Sequence, residues 1–132
     1  MSRWLMKSEP ESYSWGDLVR DGGTEWDGVR NPAARIHLRA MKVGDTALFY
    51  HSGKEKAAIG VMTVARTARP DGPDGQWASV AVTPAAPLAN PVTLKAMKAD
   101  PRLAAMEMLR QSRLSVSPVS EAEWNAILEL AG

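Results

Sequence analysis

The chain has 132 residues, 45% of them hydrophobic, a formal net charge of +1 and no cysteine. That size and apolar content suit one ordinary domain with its own core; disulfides and thiolate metal centres are excluded. No apolar run approaches the roughly 20 residues of a membrane-spanning helix, and the run in Met1–Lys7 is too short for a signal peptide, so a soluble cytoplasmic chain is expected. The small net charge hides an uneven spread. Residues 1–27 carry three basic and six acidic side chains, whereas residues 28–70 carry eight basic and two acidic. The basic block fits a nucleic-acid backbone or an acidic protein partner.

In chain order, residues 3–8 form an expected first strand, with Trp4 and Met6 on one face and Leu5 on the other. Pro10 ends it, since proline lacks a ladder donor. Ser14 caps a short helix over 15–20, and Asp21-Gly22-Gly23 closes it. Trp26 then falls on a loop. Asn31-Pro32 is an N-cap followed by proline at the first helical position; the helix runs to about Met41. Ala34, Leu38 and Met41 share one face of it, and Arg35, Arg39 and Lys42 another. Residues 46–51 and 57–65 read as the second and third strands, and Gly60 marks a bulge or a close approach. The turn cluster at 70–75 leads to a fourth strand over 77–83. The central three strands make an antiparallel meander. Asp100-Pro101 opens a helix through about Arg110. Residues 113–116 are β-like and closed by Pro118, and Ser120-x-x-Glu123 is a capping box opening a last helix that carries Trp124, Ile127, Leu128 and Leu130. The sum is an α+β domain over 1–132: a curved or barrel-like sheet with helices around it.

Chemistry is narrowed mostly by elimination. Two histidines, His37 and His51, and no cysteine give no metal-ligand pattern. There is no phosphate-cradling glycine loop and no nucleophile elbow. His51 and Ser52 are neighbours on a strand end, so their side chains diverge. No catalytic set, metal or cofactor is therefore assigned. Trp4, Trp77 and Trp124 sit inside periodic elements and are expected in the core; Trp15 is ambiguous. Trp26-Asp27-Gly28-Val29-Arg30-Asn31 is different. It sets a stacking surface beside directed donors and acceptors, a combination suited to a planar polar ligand such as a nucleobase. Tyr50-His51-Ser52 ends a strand with three hydrogen-bonding side chains, as beside a pocket.

Taken together, Trp4-Leu5-Met6-Lys7-Ser8-Glu9-Pro10, Tyr13-Ser14, the Trp26–Asn31 stretch, Gly44-Asp45, Phe49-Tyr50-His51-Ser52 and Arg113-Leu114-Ser115-Val116 resemble the EVE domain family, in order and over nearly the whole chain. The resemblance implies a PUA-like fold, a bent and mostly antiparallel β-barrel with flanking helices, similar to the YTH and ASCH domains. It also implies non-catalytic binding of a modified base in DNA or RNA. Lys7, Ser8 and Glu9 would read the base edge, and Trp26 would be a cage wall that Tyr50 or Trp15 closes. Asn31, His51 and Ser52 would add polar contacts. Arg30, Arg35, Arg39 and Lys54 would hold flanking phosphates, with Arg30 also near the base. Glu9 stands where YTH relatives tend to carry an amide. An ionised carboxylate only accepts, which favours a base that presents an amino or imino donor. Two other classes remain open: an enzyme acting on a modified nucleotide or base with Glu9 or Asp27 as general base, and a protein-interaction module.

Overall fold

The computed structural model describes residues 1–132, in six strands and five α-helices. The strands are β1 (Arg3–Ser8), β2 (Thr24–Trp26), β3 (Thr46–His51), β4 (Ala57–Asp71), β5 (Trp77–Thr93) and β6 (Val116–Val119). They form one sheet in the order β2-β5-β4-β3-β1-β6. The expected meander is present as β3-β4-β5, antiparallel throughout. β1 joins it parallel to β3, from Arg3 opposite Thr46 to Ser8 opposite His51. The sheet does not close into a barrel, contrary to the expectation. β2 and β6 are its two ends, three and four residues long, and each bonds a single neighbour. Short edges offer little backbone for a stray chain to pair with.

β4 and β5 both run further than their apolar patterns suggest. The register shifts four times along their pairing, and each such irregularity bends a ladder. Pro84 and Pro87 of β5 lie beside these breaks, opposite Met62 and Gly60. A missing N–H is tolerated where the ladder is already interrupted. Pro118 does not close β6 but lies inside it, opposite Trp4. β6 is an edge strand, so its proline need not donate inward.

Alternation along β1 and β3 divides the interior in two. Trp4, Met6, Ala47 and Phe49 enter one core with Leu18 of α1 (Trp15–Asp21) and Ala34 and Leu38 of α2 (Pro32–Ala40). Leu5, Leu48 and Tyr50 enter the other. That second core is covered by α3 (Leu94–Ala99), α4 (Glu107–Arg110) and α5 (Glu121–Ala131), through Met97, Met108, Trp124 and Ile127. Burying one Leu or Phe side chain contributes about 1.5–3 kcal/mol, so a sheet covered on both faces gains from every strand position.

The helix ends follow the cap residues. Ser14 and Asp17 form a capping box, Gly22 turns the chain with φ 72°, and Ser120 and Glu123 repeat the box for α5. The single helix expected over 101–110 is broken into a 3₁₀ turn, Pro101–Leu103, and α4. The break falls at residues 104–105, ahead of Met106, which caps α4 and is buried together with Met108. Leu128 and Leu130 of α5 are partly exposed, while Ala126 and Ala131 are buried. Trp77 leaves the expected core as well. Half-buried at the start of β5, it is flanked by the guanidinium groups of Arg30 and Arg35, 5.7 and 5.0 Å from its ring.

Candidate nucleic-acid interface

Trp26 ends β2 rather than sitting on a loop, and β2 bonds β5 through Trp26 opposite Val80. The ring is 7% exposed. It meets Phe49 edge-on, with centroids 5.3 Å apart, and Phe49 also takes Trp15 and His51 edge-on. Trp26 is thus a braced wall rather than a free flap. It borders an open hollow of about 430 Å³ whose lining includes Lys7 and Ser8 from β1, Tyr13, Asp27, Gly28 and Ser115. That volume falls in the range of small-molecule sites, about 300–1,000 Å³.

The polar groups around this hollow differ in how far they are committed. Ser8 Oγ donates to the Tyr13 carbonyl at 2.6 Å, leaving its lone pairs as acceptors. The Tyr13 hydroxyl donates to Asp21 at 2.8 Å. Glu25 is held by Arg66 at 2.7 and 2.6 Å and by Ser79 at 2.5 Å. The Arg66 hydrogen bonds bring its carboxyl down to about 2. Asp27 is exposed and makes no hydrogen bond or ion pair, so it is the uncommitted carboxylate of the lining. Past it the chain turns at Gly28, with φ 75°, and the Gly28 N–H donates to Asp71 at 3.0 Å. Asp71 also accepts from Arg30 at 2.9 Å, tying the 27–30 strap to the far end of β4.

Of the residues expected to meet here, Lys7, Ser8 and Trp26 do. Glu9 is exposed in the turn after β1, where its carbonyl accepts from Ser12 and Tyr13, both at 2.9 Å. Trp15 and His51 lie behind the wall. His51 Nε2 accepts from the Trp15 backbone N–H at 3.0 Å, and its Nδ1–H donates to Glu55 at 2.7 Å. The Trp15 ring fills the space over Gly60, where an added Cβ would lie 2.7 Å from three ring carbons; the close approach expected at that glycine is a side chain's. Asn31 caps α2, its side-chain oxygen accepting from the Ala34 N–H at 3.0 Å, and it borders a different, shallow depression with Arg110 and Arg113. Arg35 and Arg39 donate to the Gln76 carbonyl at 2.9 and 3.2 Å.

Tyr50 and Ser52 line a second hollow of about 330 Å³, with Lys7, Lys56 and Lys98. Lys54 stands in an adjoining depression beside Lys95. The second hollow is bounded by the helices over the Leu5–Tyr50 face, so Tyr50 and His51, adjacent in sequence, serve opposite sides of the sheet. The polar lining residues missed in the sequence are Ser12, Tyr13, Thr24, Glu25 and Ser115, and Asp27 is expected there only as the general base of the enzyme alternative. Two of them carried a signal. Tyr13 and Ser115 both belong to motifs that carry the resemblance to the EVE domain family.

No helix is long and apolar enough to cross a membrane. In structure the protein is similar to Rpa0253 from Rhodopseudomonas palustris, with a TM-score of 0.94 and 43% identity over 100% of this chain and 94% of that one. It is similar to human THYN1 solved in complex with DNA containing 5-methylcytosine, with a TM-score of 0.93 and 33% identity over 99% of this chain and 98% of that one. Human thymocyte nuclear protein 1 is 33% identical over 165 residues, spanning 98% of this chain and 73% of its own length. An ASCH protein from Zymomonas mobilis shares the fold alone, with a TM-score of 0.61 at 13% identity over 98% of this chain and 95% of that one. The EVE domain model matches residues 2–130, and the chain belongs to the EVE domain family.

Proposed function

We propose that residues 1–132 act as a single module that binds a modified nucleobase, of the 5-methylcytosine type, in the hollow beside Trp26. The observation that carries this reading is the pairing of a braced indole wall with an uncommitted carboxylate, Asp27, on one open hollow. The likeness to THYN1, solved with DNA containing 5-methylcytosine, supports the same ligand class. The base leaves its stack and packs on Trp26; base–aromatic stacking contributes about 1–3 kcal/mol. Asp27 accepts from the exocyclic amino group, the role expected of Glu9, and Ser8 offers a second acceptor. Trp15 and His51 brace the wall. Asn31 fixes the start of α2, and Arg30, tied to the strap, is placed for a flanking phosphate, with Arg35, Arg39 and Lys54 further out.

Binding without catalysis is the better reading. The Ser8 hydroxyl donates to a carbonyl, and His51 is occupied at both ring nitrogens. No nucleophile with its base faces the hollow. We place this activity in the cytoplasm, in keeping with a chain free of cysteine.

The test is fluorescence anisotropy with paired single-stranded DNA oligonucleotides, one carrying 5-methylcytosine and the other thymine at that position. Asp27→Asn turns an acceptor-only group into one that also donates. It should reduce the preference for the cytosine-type base about tenfold, which is about 1.4 kcal/mol, and leave the melting temperature unchanged. An unaltered preference in the folded variant would overturn the assignment.

A further inference from the structure

Two groups of cations on this chain contrast with one another. The arginines near β4 and β5 are bound by the protein itself: Arg30 to Asp71, Arg66 and Arg69 to Glu25, and Arg35 and Arg39 to the Gln76 carbonyl. The lysines beside α3 are not. Lys54, Lys56, Lys95 and Lys98 are exposed and enter no ion pair, and they gather around two adjoining depressions. The only carboxylate there is Glu55, and it accepts from His51 Nδ1–H. The deeper depression has no carboxylate in its lining. At its base Lys7 Nζ donates to the Ser112 carbonyl at 2.8 Å and lies 5.8 Å from the centre of the Tyr50 ring. Uncompensated like charges held close together repel one another, and an anion removes that cost.

We propose that the hollow lined by Lys7, Lys56 and Lys98 is a second site, which holds backbone phosphates of the strand whose modified base occupies the hollow beside Trp26. The second half of this statement rests on the function proposed above. Lys7 belongs to the lining of both hollows, so the two sites adjoin through β1, and one strand passes from one to the other. The Tyr50 phenol, pushed up by burial and so protonated at neutral pH, offers a further donor to a phosphate oxygen. The lysines act as point charges, so the site takes phosphate without regard to base sequence.

The double variant Lys56→Gln, Lys98→Gln of the whole chain tests this. Affinity is measured against salt for a 5-methylcytosine oligonucleotide, an unmodified one, the free nucleoside 5-methyldeoxycytidine and pyrophosphate. Each single-strand phosphate contact contributes about 0.7 to the slope of log affinity on log salt. The variant should therefore bind both oligonucleotides more weakly, with a slope shallower by about 1.4, and bind the nucleoside as the parent does. An unchanged slope with both oligonucleotides overturns the site. Lysine-dependent pyrophosphate binding with no change for the oligonucleotides overturns the strand as its ligand and assigns the hollow to a small phosphorylated molecule. If modified and unmodified oligonucleotides bind alike in the parent but the variant still flattens the slope, the base reading fails and the phosphate site stands.

Discussion

The hollow beside Trp26 and the hollow beside Tyr50 adjoin through β1, yet they are built in opposite ways. Around the first, the frame is held by polar pairs: Ser8 with Tyr13, Tyr13 with Asp21, Glu25 with Arg66 and Ser79, Gly28 with Asp71, leaving Asp27 free. Around the second, Lys56 and Lys98 have none, and the walls are held by apolar packing of Met108 and Leu109. A site that must recognise the shape and edge of a base gains from atoms fixed in advance, because less ordering is lost on binding. A site that only neutralises charge does as well with flexible ammonium groups. Substitutions of the partnered groups around the first hollow should therefore alter folding and recognition together, whereas those of the unpartnered Asp27 and of the lysines around the second should alter binding alone.

The largest expected effect is at the wall. Trp26→Ala removes a side chain that is part of the core and should destabilise the fold by about 3–5 kcal/mol, read by denaturant titration, and abolish any preference for the modified base. Trp26→Phe, which keeps an aromatic face, should retain most of the stability and part of the preference. If Trp26→Ala left both stability and preference intact, the two hollows would not differ as described. Gly60→Ala comes next. Its Cβ would sit 2.7 Å from the Trp15 ring, and forcing that ring aside should cost about 1–3 kcal/mol. A loss in Tm with weaker base binding would show that the second layer behind Phe49 positions the wall. A loss in Tm alone would limit Trp15 to support of the fold.

Acid provides a third lever, on the first hollow only. Glu25 falls from its ordinary 4.5 to about 2 when folded, chiefly through its hydrogen bonds to Arg66. A depressed carboxyl contributes stability that is complete above its unfolded pKa and is lost as pH falls through the folded one. Unfolding free energy should thus decline between pH 4.5 and about 2, and Glu25→Gln should remove the Glu25 share of that dependence, leaving that of Asp17, Asp21, Asp45, Asp71, Asp100 and Glu121, which folding also lowers. The same slope in the variant would shift the cause to other carboxylates. Smallest in stability is Asp27→Asn, which should leave Tm unchanged while reducing base preference, since Asp27 holds nothing in place.

Much of the scaffold was legible because its signals are local. β1, the Asn31-Pro32 start of α2 and the Ser120–Glu123 box each follow from neighbours in sequence. What was hidden depends on partners far along the chain. β5 runs through three prolines because β4 breaks register opposite two of them. β2 exists because β5 is there to pair with it. The site divides the same way. Trp26, Ser8 and Lys7, expected together from residue type and motif, line one hollow. Tyr50-His51-Ser52, read as one polar cluster, is split by strand alternation: the ring of Tyr50 serves the lysine hollow and the imidazole of His51 holds up the opposite wall. Glu9 and Asp27 are both carboxylates beside a motif. Only the turn at Gly28 puts the second of them on the hollow.

β1 is the earliest strand to be made, yet it lies inside the sheet between β3 and β6. Its parallel partner follows about 40 residues later and its antiparallel partner more than 100 later. The meander of β3, β4 and β5 can assemble from close neighbours, but the β1–β6 end of the sheet must wait for distant parts of the chain to meet. Such high contact order slows folding. During synthesis, the alternating Trp4–Met6 stretch can pair with β3 but keeps its other edge open until residue 119 has emerged, and over that interval the nascent chain is most open to aggregation or chaperone capture.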